Sequence, residues 1–521
     1  MGKDEVIVQR SAVGGGPRGT SEDRPQAVTG VQLAQGIGVQ PAKGFWADAW
    51  ANVVRRNTAR FALAWLSVVA TLAIISPLIA NGHPILLREL DGSGKVLSVS
   101  SPMLRNFSVG DVLLILGGVG GLAFFAGARG LSRSERLGTI FVSSVGSGLA
   151  VVLTALVFSV MRGHESDAVR EWLRRGQVRL WSGLDLTVGR LVIAGVIAAL
   201  GGVLIWLFAP ISKGRLTAAG IVAVATAMVS TIWWSKPLQT FEYQEAQAAG
   251  RVKATFTVIP FSPSQRDVRG DLLSPGRYAG ESRREAPKPA MPGTPKHLLG
   301  TDSLGQDVLS QLLHACRLSI SIGLVSTGIA VMIGTTIGAT MGYFGGRVDL
   351  FLYRVVEMFM SVPVLFLLIV AAAVLPRNTY VMMAIIGCVT WTGAARFTRA
   401  EFMKLRNQDF VQAARAMGLP LRSILFKHML PNGVTPVLVD ASFAIAAAIL
   451  AEATLSYLGL GPEEQPSWGR LLSDATNSVG DFVWWLAIFP GFAIFLSVLS
   501  YNLLGEALRD AIDPKLKKAR V

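Results

Sequence analysis

A chain of 521 residues that is 51% hydrophobic and only 16% charged is too apolar for an ordinary soluble protein of this length and falls in the membrane class. Its net charge of +15 is scattered over many short loops, with no basic stripe interleaved with aromatics, which argues against a nucleic-acid partner. The two cysteines, Cys316 and Cys388, lack CxxC spacing and support neither a disulfide framework nor a zinc site.

Residues 1–44 are rich in Gly, Gln and polar groups and read as a disordered cytoplasmic tail rather than a cleavable signal peptide. In residues 45–60, Phe45, Trp46, Trp50, Val53 and Val54 stand against Arg55, Arg56 and Arg60, the composition of an interfacial elbow helix. Ten apolar runs follow, at about 61–80, 112–128, 139–161, 191–211, 216–234, 318–341, 355–375, 379–395, 434–457 and 482–504. Each is near the roughly 20 residues a helix needs to cross about 30 Å of hydrocarbon. Strands of alternating character are absent from the sequence, so the spans are helices.

Arginines and lysines flanking these runs fit N- and C-termini on the cytoplasmic side of the membrane. The loop 162–190 opposes that rule. Arg162, Arg170, Arg174, Arg175, Arg179 and Arg190 would be external, and with Trp172, Leu173 and Trp181 they suggest an amphipathic helix on the outer surface. Residues 235–315, with IPFSPSQ and EAPKPAMPGTP, read as an extended extracytoplasmic segment. The Gly-rich GGVGG at 117–121 suits close helix packing better than phosphate binding.

The loop 396–433 carries Arg396, Arg399, Lys404, Arg406, Arg415, Arg422 and Lys427 and cannot lie in lipid, yet its apolar spacing is helical. Phe410, Ala413, Ala414 and Met417 recur at three- and four-residue steps and can form one stripe, and Gly418 and Pro420 close the helix. A short helix projecting between two spans suits a groove in a soluble partner. The string GSGKV at 92–96 lacks the spacing and hydroxyl residue of a phosphate-binding loop, so ATP, if used, binds another chain.

Gln412, Ala413 and Ala414, then Gly418, then His428, Leu430 and Pro431 follow the spacing of the EAA loop in permease subunits of ABC importers, which this chain resembles. The family's Glu is Gln412 here. LLGTDSLGQDVLSQLL at 298–313 is similar to the GTDxxGRDVxSR signature of the oligopeptide, dipeptide and nickel permeases, with Gln306 and Gln311 where Arg is usual. ILAEATLSYLGLG, PSWGRLL and NLLGEALRDAIDP resemble the closing segments of the C-type subunit. IANGHPILLREL, EYQEAQAAG and VIPFSP resemble the branch that moves microcin-like peptides.

The resemblance implies an all-α membrane protein with a six-span type I ABC importer core and a four-span insertion after the first span. Its parts would be the tail 1–44, the elbow 45–60, the first core span and external segment 61–107, the insertion 108–234, the extracytoplasmic segment 235–315, and a five-span core 316–521. It also implies a chain that is not an enzyme and holds no cofactor. ATP and Mg would sit on two partner ATPase subunits, joined by a second permease subunit and an extracytoplasmic solute-binding protein. Peptides or peptide-like solutes are the implied cargo; a nickel or other small-solute permease, or an ion-coupled peptide carrier, are the alternatives.

Four further residues carry separate readings. Arg354 and Glu357 are spaced i,i+3 for a structural ion pair. Asp440 lies about six residues, or roughly 9 Å, into its span, where a carboxylate costs about 2.5–3.5 kcal/mol unless it faces protein or water; it is a candidate for lining a pathway or for packing helices. Glu452 is a candidate for an external gate or for a structural hydrogen bond. His428 lacks a partner nucleophile and reads as local capping or packing.

Overall fold

Helices of the lengths the apolar runs dictate form the body of the computed structural model, which describes residues 45–91, 95–105, 107, 243–248, 250–285, 294–463, 465–477 and 482–512, the single positions 111, 115, 118 and 126, and the main chain of 177–180 and 184–187. The expected tail 1–44 and the expected spans at 139–161, 191–211 and 216–234 lie outside the described residues.

α1 (Phe45–Arg55) is the elbow, and the extended backbone of Arg56 turns the chain into α2 (Asn57–Ile79). Val53 and Ala59 pack against Ala507 and Ala511 of the last helix, and Arg56 pairs with Asp510 at 2.5 Å. The elbow and the end of the last helix therefore share one end of the bundle, the elbow end.

α3 (Val308–Phe344) is 37 residues long, about 55 Å at 1.5 Å per residue. Asp307 caps it by accepting from the Ser310 N–H at 2.8 Å. After it come α4 (Gly346–Ser361) and α5 (Val364–Val374), bent by 81°, then α6 (Thr379–Thr390) and α7 (Thr392–Leu405), bent by 43°. Pro363 supplies the first break: it has no N–H to donate, and its carbonyl accepts from Phe366 and Leu367 to start α5. A short helix α8 (Asp409–Ala416) precedes α9 (Thr435–Tyr457), α10 (Trp468–Asn477) and α11 (Trp484–Ile512). Pro490 lies within α11 without ending it.

Among the described residues, α2, α3, α9 and α11 are each long and apolar enough to cross a membrane, and the two bent pairs bring the number to six if each is one span. Those six coincide with the core runs expected from the sequence. Their packing rests on a feature the apolar pattern does not display. Gly334, Gly338 and Gly342 form a stripe on α3 against the backbone of α7; a Cβ at Gly334 would lie 2.5 Å from the Trp391 carbonyl oxygen and one at Gly342 would lie 2.7 Å from that of Arg399.

The all-α expectation holds for the bundle but not for what lies beyond it, where backbone groups without helical partners pair as strands. β1 (Leu86–Leu90) is flanked by β2 (Val96–Ser100) and by β5 (Val252–Thr255), both antiparallel to it, with Leu87 opposite Ala254. Ile259 donates its N–H to the Ile79 carbonyl at 2.9 Å and Asn81 returns a bond to the Ile259 carbonyl at 3.1 Å. The chain thus leaves α2 and re-enters more than 150 residues later at the same place, the strand end of the bundle. In the loop 162–190, where an amphipathic helix was expected, β3 (Gln177–Leu180) and β4 (Leu184–Thr187) form an antiparallel hairpin. β6 (Arg277–Tyr278) pairs with β7 (Lys296–His297) just before α3.

Candidate functional site

α8 is built between α7 and a π-helical segment, Ser423–Met429. Asp409 in its first turn and Arg415 in its last suit the helix dipole. Gly418, at φ +70°, closes it: its N–H reaches the Arg415 carbonyl at 2.9 Å and Leu419 reaches that of Ala414 at 3.2 Å.

The two faces of α8 differ. Val411 and Ala414 are buried among Ala339 of α3, Phe402 of α7, and Ile424, Leu425 and Met429. Phe410 is 40% exposed and Met417 69%, with Gln412, Ala413 and Gly418 also exposed. Ala414, expected on a docking stripe with Phe410, Ala413 and Met417, instead faces the chain's own interior, because the 411/414 pair lies one helical face away from 410/413/417. Leu421 and Phe426 extend the exposed apolar surface.

Polar contacts reinforce the inner anchorage. Arg415 donates to the Tyr343 hydroxyl at 3.2 Å and its guanidinium sits 4.5 Å over that ring, at the last turn of α3. Gln412 donates to the Arg406 carbonyl at 3.1 Å, where a Glu would have no proton to give. His428 is half-buried, its carbonyl accepting from Asn432 at 2.7 Å; Leu430 packs on the same apolar cluster and Pro431 is exposed. Of these, Val411, Arg415 and Tyr343 were not singled out from the sequence. The i,i+3 spacing of Val411 and Ala414, with Ile424, Leu425 and Met429 beyond the turn, was the signal for the inner face.

Among the other candidates, Arg354 and Glu357 pair at 2.5 Å with side chains 69% and 42% exposed, a surface contact worth about 0–1 kcal/mol. Asp440 is half-buried on α9 opposite Gly393 of α7, whose Cβ, if it had one, would lie 3.3 Å from Oδ2. Glu452 is wholly buried: Oε1 accepts from Ser456 at 2.6 Å and Ser467 at 2.7 Å. It does not present a carboxylate to an external partner, and of its two readings the structural hydrogen bond is the one observed.

Comparison with known proteins decides the family. The model of the binding-protein-dependent transport system inner membrane component matches residues 334–518. The oligopeptide transport system permease protein of Haemophilus influenzae is 40% identical over 220 residues, which cover 42% of this chain and 70% of that protein. Its dipeptide transport system permease protein is 34% identical over 262 residues, covering 50% and 84%. The di/tripeptide transport system permease protein of Pseudomonas aeruginosa is 36% identical over 263 residues, covering 50% and 82%. The chain belongs to this family.

The permease carries a second organised region at the strand end, around the GTD segment. Thr301 is fully buried; its hydroxyl donates to the Gly270 carbonyl at 2.5 Å and accepts from the Leu273 N–H at 2.7 Å. Its carbonyl accepts from the Trp485 indole of α11 at 3.1 Å. Asp302 accepts from the N–H groups of Leu304 and Gln306, each at 2.8 Å, and from the Gln311 side chain at 2.6 Å. Gln311 thus satisfies Asp302 with a neutral donor. Burial holds the Asp302 carboxyl above the usual range. On α10, burial and the nearby Asp302 charge push Asp474 up to about 6, against the pull of Arg470.

His297 of the permease lies between two acids, 2.9 Å from Asp307 and 3.7 Å from Asp267, and stacks on Phe261 at 4.1 Å. Burial alone would lower its pKa; the two carboxylates outweigh that and hold it above the ordinary value. Asp267 is held low by His297 and by the Gly280 and Arg269 N–H groups, which outweigh its burial.

Proposed function

We propose that this permease forms half of the translocation path of an ATP-driven importer for peptides or peptide-like solutes. A second permease subunit completes the path, two ATPase subunits holding ATP and Mg drive it, and an extracytoplasmic solute-binding protein delivers cargo. The elbow end, which holds residues 45 and 512, faces the cytoplasm of a bacterial inner membrane, and the strand end faces out. Within the family, the branch that moves microcin-like peptides is the proposed placement, supported by contacts among the segments that resemble it: His83 with Tyr243 at 3.3 Å, and the Asn81 N–H with the Ile259 carbonyl at 3.1 Å.

The observation that carries this reading is the two-faced α8. Its inner face is packed onto the ends of α3 and α7, while Phe410 and Met417 stand bare on the outside. Closure of the ATPases would pull on Phe410, Gln412, Ala413, Met417 and the Gly418 turn; Ala414, His428, Leu430 and Pro431 would support them from behind. Because α8 cannot slide over its buried Val411 and Ala414 without opening the cluster, the displacement passes to the spans. Asp440, which makes no hydrogen bond or ion pair among the described residues, is proposed to line the path beside Gly393.

Purification in mild detergent with the ATPase subunits tests this. The wild-type permease should co-elute with them, and Phe410→Ser with Met417→Ser should abolish co-elution and uptake while the permease still accumulates. Uptake into vesicles by the permease without any ATPase would sink the proposal in favour of an ion-coupled carrier.

A further inference from the structure

The insertion after the first span touches the core at two described residues, Asp111 and Gly118. Arg317 lies on α3, one residue before the apolar run that starts at 318. Its Nη1 pairs with Asp111 Oδ1, and its Nε donates to the Ala73 carbonyl of α2 at 3.3 Å. Both side chains of the pair are largely buried, at 20% and 12% exposure. Asp111, in turn, is one residue before the apolar run that starts at 112, so the two charges meet where two apolar runs begin.

Gly118 lies seven residues beyond Asp111 in the sequence. A Cβ there would lie 2.6 Å from Ile74 Cδ1 and 3.1 Å from Cγ2, so this glycine admits the Ile74 side chain of α2. Ala73 and Ile74 are adjacent, and Arg317 reaches across to the first of them. Asp111 and Gly118 thus both meet the seam between α2 and α3, the first through an ion pair with Arg317 and the second through the close approach of Ile74.

A guanidinium at the hydrocarbon edge is costly unless it is paired or reaches water. Arg317 Nη2 is buried with no hydrogen-bond partner among the described residues, so the side chain has little means of finding water in place of Asp111. We infer that the start of the insertion is part of the permease core, keyed into the α2–α3 seam by Asp111 and Gly118, and is not joined to the core by the chain connection alone.

A double-mutant cycle tests this in the full-length chain. Arg317→Gln and Asp111→Asn should each lower the thermal midpoint and the yield of monodisperse protein, Asp111→Asn more, since it leaves a buried cation behind. The double variant should be no worse than the poorer single, and solute uptake should follow the same order. Losses that simply add, showing that the two residues act independently, would overturn the inference. If the single variants do not accumulate, Ile74→Cys with Gly118→Cys, on a Cys316→Ala, Cys388→Ala background, should form a disulfide under mild oxidation, read by peptide mass mapping. Two freely alkylated thiols with no cross-link would overturn it equally.

Discussion

The strand end and the elbow end of this permease are finished to different degrees. Around Thr301 and Asp302 the buried polar groups are matched within the chain, and loops from 267–273, α3 and α11 are bonded to one another. Around α8 only one face is matched, and the other leaves Phe410, Met417, Leu421 and Phe426 in the open. The first arrangement has its polar groups closed within the chain; the second, in the proposed reading, is the surface that meets the ATPase. A change at the strand end should therefore act on folding, and a change on the outer face of α8 should act on coupling.

The largest effect should come from the strand end. Thr301→Val keeps the shape but leaves the Gly270 carbonyl and the Leu273 N–H buried without partners, at about 1–3 kcal/mol for each group. The thermal midpoint in detergent should fall sharply and uptake should vanish with the folded protein. A midpoint within error of wild type would break the comparison from that side.

At the elbow end the test is a pair of substitutions at Gly418, which is exposed, at φ +70°, with open space where a Cβ would go. Asn and Asp both tolerate that conformation, so they differ mainly in charge. Gly418→Asn should retain substrate-stimulated ATP hydrolysis by the assembled importer, and Gly418→Asp should abolish it, with both variants accumulating normally. Equal stimulation in the two would argue that this turn does not meet the ATPase.

A smaller effect concerns pH. His297 is held above its ordinary 6.5 by Asp267 and Asp307, so its protonated form favours the folded state. That contribution is fully present below 6.5 and is lost as pH rises through the raised folded value. Wild-type thermal stability should decline from near pH 6.5 upward, and His297→Gln should flatten the decline. A wild-type curve flat across that window would show that the acid–histidine–acid arrangement does not tie the external segment to the cap of α3.

The six core helices were legible because an apolar run long enough to cross a bilayer is written in consecutive residues. A proline such as Pro363 favours a break between helices but does not fix the 81° angle observed there. The strands were not legible: β1 and β5 are five and four residues long, mixed in character, and separated by the whole insertion. The short helix α8 was legible in its spacing, yet Ala414, expected on the exposed stripe, is buried, because Ala is small enough for either environment. Only the neighbouring Phe402 and Met429, distant in sequence, turn it inward. Glu452 shows the same limit, since Ser467, fifteen residues away, closes over it. The pairing of Arg317 with Asp111 spans 206 residues and no local pattern signals it.

α3 contains no proline along its 37 residues, and its glycine stripe is filled by α7. One terminus is capped by Asp307, which also holds His297, and the other carries Tyr343, which Arg415 of α8 grips. It therefore acts as a strut running the full depth of the molecule. In the proposed cycle a push received at Tyr343 needs no chain of intermediate rearrangements to be felt beyond the far side of the bilayer. The two surfaces would then respond together, and the timing of opening toward the binding protein would be set by how fast the ATPases close.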